Sequence, residues 1–384
     1  MKIRIEANEL KTITEKALCN IEKKSSFYLL KCIKLEVSDG ILKLTATTID
    51  KFLILTTENF TSISEGSICI DSEDFSLLLK MKNEIELTEH DGILFVKNGN
   101  KTLKMQLQNV EDFPEMSQEE QKEIFKIKES EFAGVLKNLQ SFTCQEDNRT
   151  ILTCSNFNLE SKRIEALDGF GIGMKSLVSL DILDSETKSI TLQNTAHNSL
   201  KKAISEKGKN ILTISKGEKY ICVAGEGFSF YSRVVDGEYM NVSQYISNTY
   251  DHSFTVNTKE FEQVVKYNLD ILKASGTKGK CSMKLYAEND KLQSYFKTDK
   301  FETIDKIETE NLNINNVFKA AFNPSYLNEA LKIVDTEKIE IKANGQFHPM
   351  MIYGEQYSFL VLTVKVDAED WTQIAEKIKQ DRAA

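Results

Sequence analysis

Proline is scarce. Pro114, Pro324 and Pro349 are the only three in 384 residues, which excludes proline-rich linkers and leaves any domains joined by short ordered connections. Histidine is nearly as rare: none of His90, His197, His252 and His348 stands at metal-ligand spacing from another His or a Cys. The seven cysteines (Cys19, Cys32, Cys69, Cys144, Cys154, Cys222 and Cys281) are odd in number, scattered and without a CxxC pair. That argues against a disulfide framework or a zinc site and for a reducing compartment. No stretch approaches the roughly 20 consecutive apolar residues of a membrane span. The opening MKIRIEANEL lacks the apolar run of a secretory signal. A cytoplasmic location without membrane contact is the expectation. Also lacking are a Walker-type phosphate loop, a nucleophile elbow and an HExxH pair, so neither a metal, a cofactor nor catalysis is expected.

An excess of positive charge is missing too. The formal net charge is −9, which rules out a uniformly basic surface but leaves room for basic residues gathered on one face. Hydrophobic residues make up 41% of the chain, ample for ordinary cores, and the length suits two to four domains with three as the central value.

What is present is a plan that recurs three times. KIRIE (2–6) alternates like a strand, and Ala7 to Lys24 places Leu10, Ile13, Ala17, Leu18 and Ile21 on one helical face. Strands follow to Ile70, then a helix capped by Asp71 or Ser72 and running to about Lys82, then further strands. The order restarts at Ile124, with helices over Glu129–Phe142 and Thr195–Lys207. It restarts again at His252, with helices over Asn257–Leu272 and from Pro324, where Asn323 is the cap. Leu10, Phe132 and Phe261 hold equivalent places, roughly 120–130 residues apart. Three like units in a row make an arc, and two arcs can close a ring. In the middle unit EALDGFGIGM (165–174) stands out. It breaks at Asp168-Gly169 and mixes three glycines with Leu167, Phe170, Ile172 and Met174. So apolar a connection reads as a loop folded onto its own domain or as the wall of a pocket.

Six segments carry a resemblance. RTILT (149–153), EALDGFGIGM, EDFPEM (111–116), DGEY (236–239) with YIS (245–247), FNPSYL (322–327) with Ala330-Leu331, and FLVLTVKV (359–366) stand in the order of matching segments in the bacterial DNA polymerase III beta subunit, the sliding clamp. The chain resembles that family over nearly its whole length. It departs where the family's His-Arg is Phe170-Gly171, where two prolines are Ser247 and Thr363, and where eighteen residues follow Val366.

The resemblance implies an α+β clamp fold of three topologically similar domains, each with two helices and two four-stranded antiparallel sheets. Expected boundaries are 1–124, 125–247 and 248–366, with a helical extension over 367–384. It implies a homodimeric ring around double-stranded DNA, served by a clamp loader. The ring would tether the replicative DNA polymerase and hold other clamp-binding-motif proteins, without catalysis of its own. Carried over by position, the partner-peptide pocket comprises Leu152, Leu167, Gly169, Phe170, Ile172, Ser247, Pro349, Met350, Leu360 and Leu362. With the family arginine replaced by Gly171, its affinity is expected to depend little on salt. DNA-facing candidates are Lys24, Lys80, Lys137, Lys201, Lys202, Lys266 and Lys332, each on or just beyond a helix. The dimer contact would use the edge strand with Leu103 and Met105 against a surface near Leu269 and Ile271. In the tail, Trp371, Ile374, Ala375 and Ile378 form one apolar stripe. The tail is expected to pack outside the third domain, the sharper alternative being a gate over the pocket. A clamp-fold interaction module that closes no ring, and an enzyme built on repeated α+β domains, are the other classes open at this point.

Overall fold

The computed structural model describes residues 1–145, 148–277, 281–289, 291–334 and 336–383. Residue contacts divide the chain into two compact units. One consists of Met1–Lys137 with Leu177–Asp236, the other of Asn138–Ser176 with Gly237–Ala384.

The first unit holds two antiparallel sheets. One runs in the order Phe60–Ser64, Lys2–Glu6, Glu84–His90, Ile93–Asn98, Lys101–Gln106. The other is two four-stranded meanders that meet edge to edge where Phe228–Arg233 pairs with Lys51–Thr57, extended at one end by Asp181–Ile182. Joining the meanders satisfies backbone groups that two separate sheets would leave open.

The helices of this unit are shorter than their apolar periodicity predicts. Helix α1 (Ala7–Ala17) gives way to a single 3-10 turn, Leu18–Asn20. The buried Asn20 amide donates to the carbonyls of Ala46 and Lys51, at 2.9 and 3.2 Å, and pins the chain there. Lys24 therefore lies in a turn rather than at a helix end. Helix α2 (Ser72–Ser76) is capped by the Asp71 carboxylate, as its sequence predicts. Helix α3 (Glu129–Leu139) is followed by a 3-10 turn, Gln140–Phe142. Helix α4 (Ala196–Leu200) ends seven residues before the predicted stop at Lys207. The chain turns instead onto buried Glu129, whose carboxylate accepts from the Ser205 N–H at 2.9 Å. Gly208 lies so close that a Cβ there would stand 2.1 Å from the Glu129 carboxyl carbon.

In the second unit one sheet runs Cys154–Asn158, Arg163–Leu167, Gly171–Ser176, Tyr357–Val361, Met350–Tyr353, Lys338–Ala343, His252–Asn257, Thr309–Ile314. Another runs Glu302–Ile307, Lys291–Lys297, Met283–Glu288, Phe318–Phe322. Helix α5 (Thr258–Ser275) is capped by Asn257 and closed by Gly276 in the left-handed region. Helix α6 (Pro324–Ile333) has the predicted Asn323 cap and Pro324 start.

Helix α7 (Ala368–Ala383) forms the tail. Its Trp371, Ile374 and Ile378 are buried against Tyr286, Tyr295 and Ala321, with Ile304 and Val366 beside them. The tail thus covers one face of the four-stranded sheet, and none of these residues belongs to the cavity described below. The packed-tail expectation fits this placement; the gate does not.

Candidate functional site

The glycine-rich stretch 165–174 is a β-hairpin rather than a loose loop. Arg163–Leu167 and Gly171–Ser176 pair in antiparallel register, from Arg163 opposite Ser176 to Leu167 opposite Ile172. The turn is closed by Asp168, whose Oδ1 accepts from the N–H groups of Phe170 and Gly171 at 2.8 and 2.9 Å. Gly169 sits at φ +87°, where a side chain would be strained. Burial raises the Asp168 carboxyl above its ordinary range, against the lowering effect of those two N–H groups. Gly173 has a different reason to be glycine: a Cβ there would meet Leu139 at 2.8 Å and the Phe142 ring at 3.0 Å.

Register then assembles a floor. Leu167 lies opposite Ile172, Ile172 opposite Leu360, and Leu360 opposite Met351. These four belong to one buried cluster with Leu152, Met174 and Val242. Above it opens a cavity of about 190 Å³, lined by Leu152, Leu167, Gly169, Gly171, Ile172 and Leu360, with Arg149, Met240, Tyr245 and Leu362 completing the wall. Leu152, Leu167, Ile172 and Leu360 are almost wholly buried, whereas Met240, Tyr245 and Leu362 are exposed. An incoming apolar side chain therefore meets a buried floor and a half-solvated rim.

The connecting segment that carries Met240 and Tyr245 is held from below. Tyr239 Oη donates to the carbonyls of Cys154 and Glu165, both at 3.4 Å. The Arg163 guanidinium donates to Ser243 Oγ at 2.9 Å. Burial, with the Glu165 charge nearby, raises the Tyr239 phenol far above its ordinary range, so it remains a donor.

Six of the ten sequence-derived pocket residues come together here: Leu152, Leu167, Gly169, Ile172, Leu360 and Leu362. Phe170 does not line the cavity. It is 55% exposed and stacks on Tyr326, with ring centroids 5.5 Å apart, while its carbonyl accepts from the Leu362 N–H. Met350 lies opposite Val361, on the other face of the sheet from Met351, and is fully buried. One position along a strand turns a side chain to the opposite face, so Met351 is the methionine beneath the cavity. Ser247 spends its hydroxyl on the Thr249 carbonyl at 2.7 Å, and Pro349 is half-buried in the loop preceding Met350; neither lines the cavity.

Arg149, Met240 and Tyr245 line the wall without being named as pocket residues from the sequence, and Gly171 enters there only as the replacement for the family arginine. Met240 and Tyr245 are large apolar residues in a short connection, the signal that picked out 165–174. Arg149 places a cation in the cavity wall.

The lysine candidates are all exposed. Lys137 pairs with Glu206 at 2.6 Å and Lys202 with Glu15 at 3.3 Å. Lys266 pairs with Glu262 and Lys332 with Glu329, at 2.7 and 2.8 Å. Lys80 closes a 3-10 turn after α2, and Lys201 and Lys202 sit in the turn that follows α4. Lys137, Lys201, Lys202 and Lys207 surround a depression of about 520 Å³ that also contains His197 and Glu206. Burial and the charges of Lys137 and Lys201 hold the His197 imidazole below its ordinary range, hence neutral at pH 7. Leu103 and Met105 lie on Lys101–Gln106, an edge strand whose apolar side faces Val96 and Leu94. Leu269 and Ile271 are half-buried on α5.

Residues 1–117 match the family model for the DNA polymerase III beta subunit, N-terminal domain, and residues 244–364 match that for its C-terminal domain. The chain belongs to the DNA polymerase III beta-subunit family. It is 22% identical over 375 residues to the beta sliding clamp of Bacillus subtilis, covering 92% of this chain and 95% of that protein. It is 24% identical over 388 residues to that of Rickettsia bellii, covering 95% and 100%. Among solved structures the Bacillus subtilis sliding clamp superposes with a TM-score of 0.87 at 19% identity, covering 96% of this chain and 100% of that one. The Helicobacter pylori beta clamp bound to a DNA ligase peptide superposes at 0.80 and 20% identity, covering 95% and 100%. The fold is that of the sliding clamps.

Proposed function

We propose that this chain acts as a DNA sliding clamp, a non-catalytic processivity factor. In this reading two copies close a ring on duplex DNA and tether the polymerase through the apolar cavity. The observation that carries it is the cross-strand row Leu167–Ile172–Leu360–Met351 beneath a cavity rimmed by exposed Met240, Tyr245 and Leu362. Such a surface suits a short peptide with leucine and phenylalanine side chains, each worth about 1.5–3 kcal/mol when fully buried. It also suits a chain related to a Helicobacter clamp solved with a ligase peptide. The proposed domains are 1–124, 125–247 and 248–366, with α7 as an extension.

DNA contact is assigned to Lys80, Lys137, Lys201, Lys202, Lys266 and Lys332 with Lys24. Contacts of this kind go to phosphate and are blind to sequence. Retention then comes from ring closure rather than affinity, which fits a net charge of −9. The dimer contact is assigned to the Lys101–Gln106 edge with Leu103 and Met105, and to the third domain near Leu269 and Ile271.

Loading onto nicked circular DNA provides the test. The protein should remain on the circle through gel filtration in high salt and leave once the circle is cut open. Equal loss from circular and linear DNA refutes topological retention. A fluorescent Gln-Leu-x-Leu-Phe peptide should bind, and Ile172→Asp should abolish that binding.

A further inference from the structure

The four-stranded sheet of the second unit ends at Glu302–Ile307, which among the described residues pairs on one side only, with Lys291–Lys297. Its other margin, Phe318–Phe322, is partly occupied, since Ala321 O accepts from the Val364 N–H at 2.7 Å. The five-stranded sheet of the first unit ends in a strand of the same length, Lys101–Gln106, likewise paired on one side only among the described residues, with Ile93–Asn98. One open edge carries Lys101 and Lys104, the other Glu302, Asp305 and Lys306, a smaller net charge of the opposite sign. The two are complementary in length and in charge, which commits the occupant of the Glu302–Ile307 edge to the Lys101–Gln106 strand of a second copy of this chain.

Helix α7 lies across the strands that support this edge. Ile304, on the edge strand, packs beside the buried row Trp371, Ile374 and Ile378. Lys377 is bonded to the Glu302 carboxylate, which also accepts from Tyr295 Oη at 2.8 Å. Lys379 reaches Glu288 at 3.2 Å. Glu302 lies opposite Lys297 and Glu288 opposite Lys291, so the two lysines grip opposite ends of the sheet. The ammonium groups of Lys284 and Lys377 each lie 5.8 Å from the centroid of the Tyr295 ring.

Helix α5 also contacts this strand, but an edge strand that is only partly covered frays more readily than one held on its α7 side as well, and a frayed edge cannot template a partner strand. We infer that α7 is a brace that holds Glu302–Ile307 in register for pairing with a second copy, so that the tail sets how tightly two chains close. This rests on the homodimeric reading and adds a determinant of closure lying outside the paired strands.

The test compares dimer dissociation constants by sedimentation for the full chain, a chain ending at residue 366, Lys377→Glu, and the conservative Lys377→Arg. Peptide affinity at the cavity is the control for general unfolding. Truncation should weaken the dimer at least tenfold and Lys377→Glu several-fold, both with peptide affinity unchanged. Lys377→Arg, which keeps a cation on the Glu302 carboxylate, should leave the dimer within about threefold of the parent. Unchanged dimerisation in both the truncated chain and Lys377→Glu overturns the brace. So does a parallel loss of dimer and peptide affinity, which marks α7 as a support of the whole domain. A full chain that stays monomeric at every concentration fails the homodimeric reading itself, and the brace with it.

Discussion

Replacing Phe170 by alanine tests the turn of the glycine-rich stretch 165–174. The ring is 55% exposed and lies flat on Tyr326 at 5.5 Å, between two glycines that line the cavity. An aromatic side chain presents roughly 150–250 Å², so about 110 Å² of Phe170 remains available. A peptide aromatic laid on the free face covers about half of that. At about 25 cal/mol per Å² this is ~1.4 kcal/mol, or tenfold in affinity. Phe170→Ala should thus weaken a Gln-Leu-x-Leu-Phe peptide about tenfold by fluorescence anisotropy, while leaving one that ends in Ala nearly unaffected. The Asp168 turn is closed by backbone N–H groups of Phe170 and Gly171, so the substitution keeps the hairpin. If both peptides lose affinity equally, or neither does, the stacked pair is not part of the peptide surface.

Other outcomes are open to measurement. Gly173→Ala should cost about 1–3 kcal/mol in urea unfolding, because its Cβ would press on Leu139 and Phe142. Asp168→Ala should destabilise by about 1–3 kcal/mol and weaken peptide binding, because two turn N–H groups lose their acceptor; Asp168→Asn should restore much of both. Replacing Lys137, Lys201 and Lys202 together by alanine should lower the slope of log affinity for DNA against log salt by about 2–3, at about 0.9 for each phosphate no longer neutralised. An unchanged slope removes these three from the DNA surface. The Lys377 hydrogen bond holds the Glu302 carboxyl below its ordinary value of 4.5. The pair is therefore complete above about that pH and is lost as pH falls through the lower folded-state value. Hydrogen exchange within 368–378 should accelerate over that acid range, and Glu302→Gln should remove the pH dependence.

Much of this was legible in residue order. Asp71, Asn257 and Asn323 with Pro324 mark helix starts where the structure has them, because a cap acts over three or four residues and needs no distant partner. The tail's apolar stripe was equally plain, and its burial follows from the stripe. Helix ends were less so: α1 and α4 stop where Asn20 and Glu129 draw the chain to carbonyls and amides far away in sequence. The edge strands Phe60–Ser64, Glu302–Ile307 and Thr309–Ile314 went unread. Strands with little buried surface lack the apolar alternation that announces a strand.

The candidate site divides along the same line. Sequence by itself determined the Asp168-Gly169 turn, the apolar residues around it and the family to which they belong. Only tertiary structure decided that Gly171–Ser176 is a strand whose glycines admit Leu139 and Phe142. It also decided that Arg149, Met240 and Tyr245 join the wall, and that Met351 rather than Met350 lies beneath the cavity. Adjacent methionines are chemically identical in a sequence. Pairing with Leu360 or with Val361 sends one under the site and the other to the opposite face, and that register is a property of the assembled sheet.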